Sequence, residues 1–198
     1  MDPAQAAQNV LMYFVLPLWL VAGFADYLCH RAARIETTSG AKESLLHLAQ
    51  LAQMGVAILA AMFFEINALV ILIMIVCFVL HEATALWDVS YAHATREITP
   101  VEQHVHSFLE MLPLLALVLI AVLHWPQFLS LFGFGPEAAR FELVVKQGEP
   151  PSWTYVITIL VLVVLFEVLP YLEELLRGLR ANRPASALRR PDRQRNPH

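Results

Sequence analysis

Apolar positions along the chain fall into five long runs, and most ionisable residues collect between them or at their ends. A helix crossing a bilayer needs roughly 20 mainly apolar residues. By that measure the spans lie at about 9–33, 42–64, 66–95, 100–124 and 153–179. The first is centred on LMYFVLPLWLVAGF, and Pro17 is placed to kink it. RIETTSGAK links it to the second, where Ser39 is a candidate N-cap. The third is longer than the membrane is thick, so its polar end is expected to protrude. Thr99-Pro100 followed by Glu102 reads as the start of the fourth, with Thr99 as cap and Pro100 in the first turn. Trp125-Pro126 ends that helix, and residues 126–152, rich in glycine, proline and aromatics, read as an extramembrane loop. The expected fold is therefore all-α: an integral membrane bundle of five transmembrane helices forming one domain over 1–180. Residues 181–198 are expected to be a disordered basic tail.

Composition supports this reading. The 198 residues are 58% hydrophobic and 15% charged, with mean hydropathy +0.58, against about 25% charged in ordinary soluble domains. The net charge of −4 hides an asymmetry. One side of a five-span bundle receives Arg31, Arg34, Lys42, Arg96 and the arginines from Arg177 onward, whereas the other receives Arg140 and Lys146. Basic residues favour the cytoplasmic side, so the expectation is an external N-terminus and a cytoplasmic C-terminus in a multi-pass cell-membrane protein, of the bacterial inner-membrane type. The N-terminus lacks the basic start and cleavage site of a signal peptide. Cys29 and Cys77 form neither CxxC nor CxxCH, which leaves a disulfide framework, a thiolate zinc site and covalent haem unsupported. No feature points to nucleic acid.

Residues 81–110 carry the chemistry. HEATALWDVSYAHATREITPVEQHVHSFLE holds four histidines, five carboxylates and one arginine between two strongly apolar segments. Ionisable groups beside lipid-grade sequence are costly unless paired or metal-bound. Because successive helices alternate in direction, His30, His47, His93 and His106 come to similar depths near the cytoplasmic side. Asp26, Asp88 and Glu110 lie one turn deeper, and His81 deeper again. Asp26/His30, Glu43/His47 and Glu102/His106/Glu110 each place acid and imidazole on one helical face at i,i+4 spacing. His81 and Asp88, seven apart, share another face.

The candidate metal ligands are therefore His30, His47, His81, Asp88, His106, Glu110 and Asp26, followed by His93, Glu102, Glu43 and His104. Glu167, inside the fifth span, is a candidate outer partner. The bland alternative is a structural network of interfacial salt bridges, with Arg96 pairing Glu97 or Glu102. His124 reads as an interfacial anchor, and Tyr91 as a packing residue.

Imidazole with carboxylate suits iron, manganese or zinc, and seven or so ligands exceed the need of one zinc ion. Two metal ions, with iron favoured over zinc or manganese, are expected. The inventory over 26–110 resembles that of soluble di-iron bundles. It also resembles the membrane-bound non-haem di-iron hydroxylases and desaturases, which are histidine-rich on their cytoplasmic side. Their HxxxH and HxxHH boxes are absent here, the nearest match being His104-Val-His106. The resemblance implies an oxidoreductase that activates oxygen, acts on a lipid or other apolar substrate, and takes electrons from a donor protein. Homo-oligomers are compatible with this reading. Three alternatives stand beside it. A b-type haem electron-transfer subunit would use histidine pairs across the bundle, but the many carboxylates serve no purpose there. A zinc-dependent membrane hydrolase would hold one metal and activate water. A transporter would need a polar path through external halves that are apolar.

Overall fold

The computed structural model describes residues 2–147 and 152–181. The described residues are overwhelmingly helical, with no strand, and five helices are long and apolar enough to cross a membrane. These are α1 (Pro3–Ala33), α2 (Ala41–Phe63), α3 (Ala68–Thr95), α4 (Pro100–Leu123) and α6 (Trp153–Ala181). A short α5 (Trp125–Ser130) lies within the region read from sequence as loop; Pro126 in its first turn needs no backbone donor and so starts a helix as readily as it ends one. The tail assigned to 181–198 lies, beyond Ala181, outside the described residues.

The helix ends follow their local chemistry. Thr99 caps α4, its hydroxyl accepting from the Glu102 amide at 3.2 Å. Asn67 caps α3 and also donates to the Glu142 carbonyl, tying the 131–147 loop across that end. Ser39 does not cap α2. Gly40 takes the N-cap position at φ 68°, a conformation open to glycine and strained for serine. Ser39 instead offers its carbonyl to the Tyr91 hydroxyl.

Two π turns interrupt the long helices, Leu11–Val15 in α1 and Val164–Val168 in α6. Each ends two residues before a proline, Pro17 and Pro170 respectively. Proline has no amide to close the preceding turn, and the widened turn absorbs the mismatch. In α1 the Met12 carbonyl accepts from the Tyr155 hydroxyl at 2.6 Å.

Helices α2 and α3 pack along their length, α1 packs on α4, and α6 closes the bundle against α1 and α2. Small residues line these contacts: Ala22, Ala57, Ala60, Ala68, Ala85, Ala92 and Ala121 are buried. Large apolar side chains such as Val21, Val56, Leu72, Leu86 and Val118 face outward. Lipid removes the penalty for that exposure, so close backbone approach through small residues replaces an oily core as the packing principle.

Candidate metal centre

At the end of the bundle where α1 finishes and α2 and α4 begin, polar side chains converge from all five spans. Asp26, His30, Glu43, His47, His81, Asp88, Glu102, His106 and Glu174 are all buried. The i,i+4 pairs do bring acid and imidazole to one side. Asp26 Oδ2 lies 3.4 Å from His30 Nε2, and Asp26 Oδ1 lies 2.9 Å from His106 Nε2.

His30 is the pivot. It is fully buried, and its Nδ1 faces Glu174 Oε2 at 3.1 Å. Its Nε2 has no hydrogen-bond partner, yet it stands within 3.5 Å of Glu102 Oε1 as well as near Asp26. One nitrogen held by a carboxylate and the other directed among ligand atoms is the arrangement that orients a metal-bound imidazole. His47 stacks on His30 with ring centroids 4.2 Å apart and planes 7° from parallel. Its Nδ1 meets the other oxygen of Glu174 at 2.9 Å, and its Nε2 meets Asp88 Oδ2 at 3.0 Å. Two groups therefore have donor atoms close enough to share an ion: Asp26, His30 and His106, and His30, Glu43 and His47.

A cavity of about 20 Å³ adjoins these groups, lined by Asp26, His47, His81, Asp88, His106 and Glu110 among others. A single water-sized occupant needs about 10–15 Å³, so the space suits one ion or one water. Among its lining residues, Asp88 Oδ1, His106 Nδ1 and both His81 ring nitrogens are buried without a hydrogen bond. Backbone of Gln50 and Leu109 approaches the His81 ring, outside strict hydrogen-bond geometry. Each unsatisfied buried group costs about 1–3 kcal/mol, so their concentration at one point is compatible with a bound ion.

Arg96 supplies the cation. Its side chain is buried between Glu43, at 2.5 Å, and Glu102, with which it pairs through both terminal nitrogens. Glu43 and Glu102 thus join the cluster through Arg96 as much as through histidine. Glu43 groups with His30 and His47, and Glu102 lies 3.5 Å from His30 Nε2.

Not every candidate converges. His93 and His104 are exposed, and Glu110 is half-buried at the edge of the small cavity. Tyr91 serves in packing, its ring 4.1 Å from the Lys42 ammonium. Two contributors escaped the sequence reading, Glu174 and Tyr171, whose hydroxyl donates to Asp26 at 3.2 Å. With Glu167 they share one face of α6, at spacings of four and three. The π turn places Glu167 against Gly23, where an added Cβ would come within 2.3 Å of its carboxyl oxygen. Comparison with protein-family models, characterised proteins and solved structures finds no significant match.

Proposed function

We propose that this chain is a membrane-embedded metalloenzyme, a dinuclear non-haem iron oxidoreductase acting on an apolar substrate. The observation that carries it is the gathering of buried donor groups from His81, His106, Asp26 and Asp88 around one small cavity, with His30 beside Asp26 next to it. Asp26, His30, Glu102 and His106 would hold one ion, and His47, His81 and Asp88 the other. Glu174 fixes both stacked imidazoles from behind. Iron at such a centre would supply oxygen activation, with electrons from a donor protein.

The residues themselves do the positioning. Tyr171 donates to Asp26 and fixes its carboxylate. Arg96 offsets part of the carboxylate charge. The surrounding helices exclude bulk water, which strengthens each electrostatic contact. The basic asymmetry of the loops supports a cytoplasmic side for this end. One observation favours a second reading: three imidazoles, His47, His81 and His106, line the small cavity, which suits a single hydrolytic zinc with a carboxylate to activate water. A b-type haem, by contrast, is far larger than that space.

Element-resolved analysis of protein purified in mild detergent tests the proposal. Two irons per chain are expected; one zinc per chain supports the hydrolase, and no bound metal defeats both. His106→Ala should lose most of the metal, and His93→Ala should retain it. Equal retention in the two variants would remove the site.

A further inference from the structure

A second, much larger cavity occupies the other half of the bundle, with a volume of about 540 Å³. Cavities of about 300–1,000 Å³ typically hold small organic ligands. Along α4 its lining runs from Leu112 to His124, about 18 Å at 1.5 Å per residue. It is therefore elongated along the bundle axis. Its inner end, at Met54, Phe78 and Leu112, lies one helical turn from His81 and Leu109.

The lining is polarised. Its inner length is apolar, and Met12, Met54, Met62 and Met74 contribute four of the chain's six methionines. Methionine walls adapt to a flexible occupant better than to a rigid one. At the far end stand Gln8, His124, Lys146 and Tyr155, and among the described residues no Asp or Glu lines the cavity. Lys146 is fixed there: its ammonium donates to the Ala61 carbonyl at 2.7 Å, and its backbone amide donates to the Phe63 carbonyl at 2.9 Å. Two ammonium donors remain for a ligand. Burial lowers the pKa of both Lys146 and His124, and the nearby Lys146 and Arg140 charges lower His124 further. The rim thus lacks a matching anion among the described residues.

We infer that this chamber binds one long-chain carboxylic acid, its carboxylate at Lys146 and its hydrocarbon chain running inward towards the end nearest His81. One fixed cation matches one single-charged head. The narrow elongated volume matches one chain and disfavours a two-chain phospholipid. The assignment stands on the chamber alone and holds whichever metal the neighbouring centre binds.

The test uses full-length protein in detergent, stripped of metal so that the outcome is separate from the metal proposal. A photoreactive palmitic acid analogue is cross-linked, and labelled peptides are mapped by mass spectrometry. Saturable labelling at chamber residues of α1, α2 and α4 is expected, competed by palmitic acid at roughly tenfold lower concentration than by hexadecanol, the effect of one charge-assisted contact. Lys146→Met should abolish that preference, and Ala116→Trp should block labelling by filling the space. The comparison of acid with alcohol is made on the unaltered protein, so it survives a variant that fails to fold. Labelling confined to outward-facing residues, equal competition by acid and alcohol, or equally effective competition by phosphatidylglycerol would overturn the inference.

Discussion

Glu174→Gln puts the metal proposal under its sharpest strain. In the wild-type chain the two carboxylate oxygens each take one imidazole, His30 Nδ1 at 3.1 Å and His47 Nδ1 at 2.9 Å. Glutamine keeps the shape but turns one acceptor into an NH₂ donor. Whichever imidazole faces that donor must rotate or change tautomer, and its other nitrogen then leaves the cluster. A hydrogen bond to a charged group is worth about 1.5–3 kcal/mol. Removing a carboxylate behind a metal-bound imidazole weakens binding about 10–100-fold, or about 1.4–2.7 kcal/mol at 1.36 kcal/mol per decade. The two estimates agree, so metal affinity should fall by one to two decades on these figures. The assay is chelator competition in detergent with iron(II) and, separately, zinc. Glu173→Gln is the control: its neighbouring carboxylate is 44% exposed and pairs with Arg31 at 3.3 Å. Affinity within about twofold of wild type, or an equal loss in Glu173→Gln, would refute the orienting role and with it the placement of His30 as a ligand.

Other perturbations probe the supports. Arg96→Met leaves Glu43 and Glu102 buried without their cation, and should cost about 3–5 kcal/mol in reversible denaturant unfolding; Arg96→Lys should recover part of this, since charge survives but the paired geometry does not. Gly178→Ala would set a Cβ 2.8 Å from the Ala41 amide nitrogen, separating α6 from α2 at about 1–3 kcal/mol and lowering metal affinity through Glu174 one turn away. Gly55→Ala, with nothing within 4 Å of the new Cβ, should leave both unchanged. Burial lowers Lys146 below its ordinary 10.5, so its ammonium is lost at lower pH than in free lysine. Carboxylate affinity in the large chamber should therefore fall as pH rises through that lowered value, with no such decline in Lys146→Met; equal profiles would count against the charge contact.

The spans were readable because lipid imposes a length and an apolarity that few other folds satisfy, and because Thr99 and Pro100 mark a helix start by local chemistry alone. Convergence of Asp26, His30, Glu43, His47, Glu102 and His106 was readable because i,i+4 spacing fixes a face without any knowledge of neighbours, and that of Asp88 because it lies seven residues from His81. Direction towards the centre was harder to obtain. His93 lies five residues from Asp88, about 140° round the helix, and so faces out although its depth suits the site. Glu174 stands in LPYLEELLRG, where acids and arginines resemble a solvated helix end. The signal existed in Glu167, Tyr171, Glu174 and Gly178, spaced four, three and four apart, but a π turn just before it breaks the phase with the preceding apolar run. Ser39 was favoured as a cap by residue type, whereas the backbone required positive φ one position later.

On the proposed reading, charge favours metal over a network of protons at these residues. Five linked carboxylates, Asp26, Glu43, Asp88, Glu102 and Glu174, face one permanent cation, Arg96. Protonating His30, His47 and His106 would nearly balance them, but each imidazolium then needs two acceptors. His47 has two. His30 has one at Nδ1, its Nε2 standing 3.4 and 3.5 Å from Asp26 and Glu102 without a hydrogen bond, and His106 Nδ1 has none. Two divalent ions would instead cancel the four charges Arg96 leaves, while keeping the imidazoles neutral and using the lone pairs of nitrogens that no hydrogen bond occupies. A single divalent ion would leave two charges in a low-dielectric setting, where each is costly. On the same count Arg96 belongs to the proposed centre: without it, two divalent ions would not balance the carboxylates.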